Sequence, residues 1–228
     1  NKKSLQGNGS VSEYRYTYLK CSLIRDIKPM IDEQIYRRFN HTIAACFVVY
    51  FLFPSEILGL QRSYFIILFW LLVVAIEIAR LTKGIKILGM RDYEKDRIAS
   101  FVWFASGSCL LLGFYEIGFF PQSLVIATII MAAYTDPVIG EATKKWGDKK
   151  GIICGLVCSF AIYHIIVGVL FYSIIGSIAA VMAERPKIKW FDDDLAMQII
   201  PMFILFALYW YDLGPTLVED GMIIMEGI

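Results

Sequence analysis

Charged side chains are scarce in this 228-residue chain, and no polar stretch exceeds about 40 residues. Charged residues make up 19% of the sequence and hydrophobic residues 57%, whereas soluble domains carry about 25% charged residues. This composition excludes a soluble domain of useful size. It leaves room for six or seven spanning helices, because each needs about 20 mostly apolar residues.

The sequence also lacks the glycine-rich motifs that cradle phosphates in soluble nucleotide-binding enzymes. Neither GxxxxGK[ST] nor GxGxxG occurs, so a phosphate site would have to be built from helix ends and loops. Zinc ligation is disfavoured as well, because Cys154 and Cys158 have no third or fourth ligand nearby. Residues 1–40 are polar and contain no short apolar run, which predicts that no signal peptide is present.

Seven apolar segments predict an all-α, polytopic helical membrane protein. The predicted spans are residues 41–60, 64–80, 98–116, 119–134, 151–170, 172–183 and 195–211. The sixth span is short, so six helices are the alternative count. We predict a cytoplasmic, amphipathic segment over residues 1–40, a transmembrane catalytic domain over 41–211, and an external acidic tail over 212–228.

Basic residues are distributed unevenly among the loops of this topology. Of the 22 Lys and Arg residues, 21 fall on one side, and only Arg62 falls on the other. Cytoplasmic loops carry an excess of Lys and Arg, so we predict a cytoplasmic N-terminus and an external C-terminus. The net charge of +1 gives no indication of a nucleic-acid partner.

Four polar clusters lie at the predicted inner helix ends. The alternative to a functional site is that each cluster is simply a charged loop exposed to solvent. Glu77 lies inside an apolar run with Arg80 at i+3, and the pair is either structural or functional. Asp136 follows a long apolar run, and three consecutive acids, Asp192 to Asp194, repel one another and so favour a cation. Carboxylate oxygens suit Mg²⁺. Acids combined with Arg and Lys are typical of a site for a metal-bound nucleotide, since phosphoryl transfer depends on positioning and charge neutralisation.

In this order, the clusters resemble the CTP-dependent polyprenol kinase family, which includes dolichol kinase, phytol kinase and the CTP-type diacylglycerol kinase. The resemblance covers residues 33–205 and rests on five motifs: Glu33 with Arg37-Arg38 and His41; Glu77 with Arg80; Arg91 with Glu94; Asp136-Pro137 running into Lys144-Lys145-Trp146-Gly147; and Glu184 followed by Asp193-Asp194-Leu195 and Pro201. Four departures favour a short, divergent, archaeal branch. The first motif is one residue longer than in the family, Thr143 replaces a Gly, and Asp194 replaces an Asn. Of the family's G-K-S-x-E-G stretch, only Lys149, Lys150 and Gly151 remain nearby.

The resemblance implies a lipid kinase that transfers the γ-phosphate of CTP to a polyprenol- or dolichol-type alcohol at the cytoplasmic membrane face. It implies four sets of residues. The catalytic set is Asp136, Glu141 and Asp193, and the ligands of Mg²⁺ or another divalent cation are Asp136, Asp193 and Asp194. The nucleotide- or phosphate-binding set is Arg37, Arg38, His41, Arg91, Lys144, Lys145 and Lys149. The site-shaping set is Glu33, Glu77, Arg80, Glu94 and Glu184.

The expected partners are the lipid alcohol, CTP and the bilayer, without nucleic acid. The expected location is the plasma membrane of a prokaryote or the endoplasmic reticulum of a eukaryote.

Two other functions fit parts of the same pattern. A cytidylyltransferase that acts on a lipid phosphate needs the same CTP and Mg²⁺, but it releases pyrophosphate instead of CDP. A small transporter would place acids near the bilayer midplane and carry an internal repeat, whereas most acids here lie at the inner edge.

Overall fold

The computed structural model describes residues 38–85, 97–185 and 192–217, and this part of the chain is built almost entirely from helices. Its seven helices are α1 Arg38–Leu52, α2 Ser63–Lys83, α3 Ser100–Glu116, α4 Gln122–Trp146, α5 Asp148–Val167, α6 Leu170–Glu184 and α7 Asp193–Trp210. A short antiparallel hairpin between α1 and α2 pairs β1 (Glu56–Ile57) with β2 (Leu60–Gln61). The all-α prediction is confirmed.

Four of the described helices, α2, α4, α5 and α7, are long and apolar enough to cross a membrane, and α1 and α6 are shorter apolar helices. The 20 residues of α5 extend roughly 30 Å at about 1.5 Å per residue, which matches the hydrocarbon core of a bilayer. Large apolar side chains project outward from α2 and α5, as Leu68, Leu72, Val157 and Ile165 do. An outer surface of this kind is suited to lipid.

Helices α4 and α7 form the centre of the bundle. Of the most apolar 18-residue stretch of each helix, 56% is buried inside the protein in α4, compared with 22% in α2 and 22% in α5. α4 packs along α5 and against α3 and α7, α6 packs between α5 and α7, and α2 lies outside α3. The core contains fully buried side chains such as Leu124, Met131 and Met197.

Glycines allow α4 and α5 to pack very closely. A Cβ added at Gly151 would collide with Thr143, and one added at Gly155 would collide with the Ile139 side chain. Small residues at such contacts are typical of helix pairs in membranes. The two helices are joined by Gly147 alone, whose φ of 86° lies in the region that favours glycine. The tight turn makes α5 return antiparallel to α4.

The predicted first span, over residues 41–60, is wrong in its second half. α1 ends at Leu52 with a 3₁₀ segment over Cys46–Leu52, and the hairpin follows. Side chains three apart eclipse in a 3₁₀ helix. Val48 and Phe51 pack on the core, whereas Val49 and Leu52 are exposed. The β-branched and aromatic residues of CFVVYFL are weak α-helix formers, which agrees with the tighter conformation.

The predicted fourth span ends too early. The prediction stops it at residue 134 and places Asp136 in a loop, but α4 continues through Pro137 to Trp146. Pro137 removes the hydrogen bond to the Ala133 carbonyl, and membrane helices tolerate this loss where neighbouring groups compensate. Asp136 therefore projects from the side of a helix. The helices observed at the other five predicted spans begin and end within three residues of the predicted positions.

Candidate active site at one end of the bundle

The two ends of the helix bundle differ in charge. Side-chain contacts bring together the starts of α1, α3, α5 and α7 and the ends of α2, α4 and α6, and we call this the polar end. Among the Lys and Arg residues that the structure describes, only Arg62 lies at the opposite end. The sequence predicts four polar clusters at inner helix ends. The members of these clusters that the structure describes all lie at the polar end.

At the opposite end, Arg62 has a structural role. Its Nε donates to Glu116 at 2.8 Å, its Nη1 donates to the Phe53 carbonyl at 3.0 Å, and the Tyr50 and Tyr115 rings lie 5.1 and 5.5 Å from the guanidinium carbon. Burial alone would lower the pKa of Arg62, but the interactions with Tyr115 and Glu116 outweigh burial and raise it. These contacts tie the hairpin to α3.

Three side chains from three helices converge at the polar end: His41 of α1, Asp136 of α4 and Asp194 of α7. One nitrogen or oxygen atom from each lies within 4.8 Å of the other two, and we call these residues the His–Asp–Asp group. The distance from His41 Nε2 to Asp136 Oδ2 is 3.6 Å. Asp194 is buried, and the other two are half-buried. The group is therefore reachable from solvent but shielded by the helices that supply it.

Asp194 is held in place by α3 and by the cap of its own helix. Ser100 Oγ donates to Asp194 Oδ2 at 2.8 Å, and the Asp194 backbone N–H donates to Asp192 Oδ1 at 3.1 Å. Asp192 is thus the N-cap of α7. Asp193 lies in the first turn, where a helix dipole favours negative charge. The three consecutive acids have different surroundings, and only Asp194 belongs to the His–Asp–Asp group.

Ser100 is in turn positioned by the buried pair of Glu77 and Arg80. Arg80 Nε and Nη2 donate to the two Glu77 oxygens at 2.7 Å each. Glu77 Oε1 also accepts from the Ala99 backbone N–H at 2.8 Å, and Arg80 Nη2 donates to the Arg97 carbonyl at 2.6 Å. The pair therefore fixes the start of α3 against α2, one residue before Ser100. This geometry supports the structural interpretation of the pair.

One turn further along α7, Gln198 joins the helix to α3. Ser108 Oγ donates to Gln198 Oε1 at 3.1 Å, and Gln198 Nε2 donates to the carbonyls of Phe104 and Asp194 at 3.2 and 3.3 Å. Gly107 leaves room for this amide, because a Cβ there would lie 2.8 Å from Gln198 Oε1. Buried hydrogen bonds of this kind fix the register between the two helices, and hence the position of Asp194.

Exposed cations lie on α1 and α4, two of the helices that supply the group. Arg38 Nη2 donates to Glu141 Oε1 at 2.8 Å, and both side chains are at least half exposed. Exposed pairs contribute only about 0–1 kcal/mol, so Arg38 is not held strongly. Lys144 and Lys145 follow on the next turn of α4, and both are exposed. The three side chains are exposed to solvent and give this part of the polar end a positive charge that attracts anions.

The structure brings together part of the predicted site. His41, Asp136 and Asp194 converge, and Arg38 and Glu141 form the neighbouring ion pair. The remaining predicted residues that are described lie elsewhere at the polar end: Glu77 and Arg80 near the end of α2, Asp193 in the first turn of α7, Glu184 at the end of α6, Lys149 at the start of α5, and Lys144 and Lys145 near the end of α4. Glu33, Arg37, Arg91 and Glu94 lie outside the described residues.

Sequence reasoning missed Ser100 and Gln198. A signal for Gln198 was present, because an amide in the apolar run LAMQIIPMF is costly to bury and marks a specific partner. Ser100 gives no such signal. Its partner Asp194 is 94 positions away in the chain, and a serine at a helix start is unremarkable.

The two carboxylates suit a hard divalent cation. Mg²⁺ binds oxygen ligands octahedrally at about 2.0–2.1 Å, which places such oxygens roughly 3–4 Å apart. A carboxylate oxygen of Asp136 and one of Asp194 lie within 4.8 Å of each other, which is close to this spacing. His41 is a poor Mg²⁺ ligand, because that ion prefers oxygen.

No protein-family model matches the chain, and neither a curated protein nor a solved structure matches it. The functional proposal therefore depends on the geometry of the polar end and on the order of the sequence motifs.

Proposed function

We propose that this protein is an integral membrane lipid kinase that transfers the γ-phosphate of CTP to a polyprenol- or dolichol-type alcohol. The observation that carries the proposal is the His–Asp–Asp group, which lies beside exposed cations at one end of a membrane helix bundle. Phosphoryl transfer needs charge neutralisation and positioning more than covalent chemistry. The motif order that resembles CTP-dependent polyprenol kinases supports CTP as the donor.

In this proposal, Asp136 and Asp194 hold Mg²⁺ or another divalent cation. When bound, the ion neutralises phosphate charge and orients the nucleotide. Arg38 and the exposed Lys144, Lys145 and Lys149 contact the phosphate oxygens. The resemblance adds Arg37 and Arg91 to this set, and both lie outside the described residues. Asp193, next to Asp194 in the chain, adds negative charge that favours the cation.

The acceptor hydroxyl loses a proton as its oxygen bonds to the γ-phosphorus. The pair of Asp136 and His41 takes up this proton, since the carboxylate orients the imidazole across 3.6 Å and the imidazole accepts the proton. The bond from the γ-phosphorus to the bridging oxygen breaks, and CDP leaves. Glu141, which the resemblance places in the catalytic set, is paired with Arg38 and orients that cation.

The topology proposed with this function has seven spans, a cytoplasmic N-terminus and an external C-terminus. Its support is the concentration of described cations at the polar end, because cytoplasmic loops carry an excess of Lys and Arg. The active site then faces the cytoplasm, at the plasma membrane of a prokaryote or the endoplasmic reticulum of a eukaryote. Reporter enzymes fused to each terminus test this topology, and an external N-terminus would refute it.

Product analysis tests the reaction itself. Purified protein in detergent is supplied with Mg²⁺, γ-labelled CTP, and a panel of isoprenoid alcohols plus diacylglycerol. A kinase puts the label into the lipid phase and releases CDP, and the labelled acceptor identifies the substrate class. A cytidylyltransferase releases labelled pyrophosphate when it is given a lipid phosphate. Folded protein that labels none of these acceptors would contradict the proposal.

A further inference from the structure

A large apolar groove lies between α1, α2 and α3. Its volume is about 640 Å³, within the range of roughly 300–1,000 Å³ that is usual for small-molecule sites. Its walls include Ile43 and Phe47 of α1, Phe69 of α2 and Leu112 of α3. Ile43 and Phe69 are about half exposed, so the groove opens sideways on the outer surface of the bundle, where lipid would lie.

The groove extends along α1 from Ile43 to Phe53, and none of the three side chains of the His–Asp–Asp group lines it. Ile43 follows His41 by two residues on α1. From Ile43 to Phe53, the chain rises roughly 19 Å, at about 1.5 Å per α-helical residue and 2.0 Å per 3₁₀ residue. This length is more than half of the ~30 Å hydrocarbon core of a bilayer. A chain that runs from His41 toward the bilayer interior along α1 therefore meets the groove.

The other end of the groove does not suit a charged headgroup. Arg62 borders the groove there, but its guanidinium already donates to Glu116 and to the Phe53 carbonyl. The remaining walls are almost entirely apolar. The polar part of a bound lipid is therefore best placed at the His41 end.

We propose that this groove binds the hydrocarbon chain of the acceptor alcohol, with the hydroxyl at the His–Asp–Asp group. The inference rests on the proposed kinase function and specifies its substrate as a long-chain alcohol held along α1. Apolar walls recognise a chain by the area that they remove from polar surroundings. The groove therefore selects acceptors by the length of the hydrocarbon chain, and the polar end recognises the reacting hydroxyl.

Two tryptophan variants test the groove by filling space. Cys46 is exposed and lines the groove, so Cys46→Trp occupies it. Leu72→Trp is the matched control, because Leu72 is exposed on α2 and lies outside the groove. The kinetic constants are measured for a long isoprenoid alcohol and for a five-carbon isoprenoid alcohol. We expect Cys46→Trp to raise KM for the long acceptor at least tenfold and to leave both constants for the short acceptor unchanged, while Leu72→Trp matches the parent.

An equal KM for the long acceptor in Cys46→Trp and the parent would overturn the assignment of the groove. An equal loss with both acceptors would also overturn it, because the variant would then act through the polar end and not through the chain.

Photolabelling separates this inference from the proposed function. A long-chain alcohol with a diazirine near its end is crosslinked to the parent protein, and labelled peptides are identified by mass spectrometry. Crosslinks at residues 43–53 and 65–69 are expected, and they need no turnover. Labelling there without phosphoryl transfer would support the groove and contradict the kinase, whereas transfer with crosslinks elsewhere would overturn only the groove.

Discussion

Replacing Glu77 by glutamine should destabilise the protein strongly, although the change is a single atom. Glu77 and Arg80 are only 4% and 3% exposed, and Arg80 donates twice to the carboxylate. In Glu77→Gln, the amide NH₂ would face the guanidinium, and a buried cation would lose its counter-charge. Breaking a buried pair by removing one partner costs about 3–5 kcal/mol, and we expect a loss in this range.

The matched control is Asp148→Asn, which breaks the pair of Asp148 and Arg185 at 3.0 Å on the surface. Exposed pairs are worth about 0–1 kcal/mol, so the control should lose no more than that. Free energies of unfolding are obtained from reversible denaturation in mixed detergent micelles. The double variant Glu77→Gln/Arg80→Met should recover part of the loss, because it leaves no buried charge. The reasoning would be refuted if Glu77→Gln lowered the free energy of unfolding by less than about 1 kcal/mol. It would also be refuted if the loss in the double variant equalled the sum of the losses in the two single variants.

Three further predictions follow from the packing and from the polar end. Gly155→Leu, at the contact with α4, should lose about 1–3 kcal/mol of unfolding free energy by overpacking, whereas Gly140→Ala, where the structure has open space, should be neutral or slightly stabilising. Gln198→Leu should cost about 1–3 kcal/mol, because it leaves buried partners unpaired; a neutral result would contradict its role in helix register. Asp194→Asn should lower Mg²⁺-dependent transfer by about 10²-fold or more, and Asp193→Asn much less; equal losses would contradict the separate surroundings of the two acids.

Hydropathy predicted the helices of this protein well where each helix is regular and apolar. The boundaries of α2 and α7 lie within three residues of the predicted ones. The errors arose where local sequence signals compete with packing. Pro137 is a strong breaker in a soluble chain, yet α4 continues through it. Neighbouring helices contact this part of α4, since Gly155 of α5 lies against Ile139 and Asp194 of α7 lies near Asp136. The 3₁₀ conformation of Cys46–Leu52 likewise depends on contacts that periodicity alone does not reveal.

The candidate site was predictable in its charged residues but not in its arrangement. Asp136 and His41 stand out because charged and ionisable groups are rare near apolar runs. The choice among three adjacent acids was not predictable, because Asp192, Asp193 and Asp194 differ only in what surrounds them once α7 packs on α3. Ser100, which holds Asp194, is visible only in three dimensions.

Label transfer from γ-labelled CTP to a polyprenol, compared between Asp136→Asn and Asp148→Asn, tests the central claim most directly. Both changes replace one carboxylate by an amide at the polar end, but only Asp136 belongs to the His–Asp–Asp group. The account predicts Mg²⁺-dependent labelled lipid and CDP from the parent and from Asp148→Asn, and a loss of about 10²-fold or more in Asp136→Asn. Full activity of folded Asp136→Asn, or no labelled lipid from the folded parent with any isoprenoid alcohol or diacylglycerol, would contradict it.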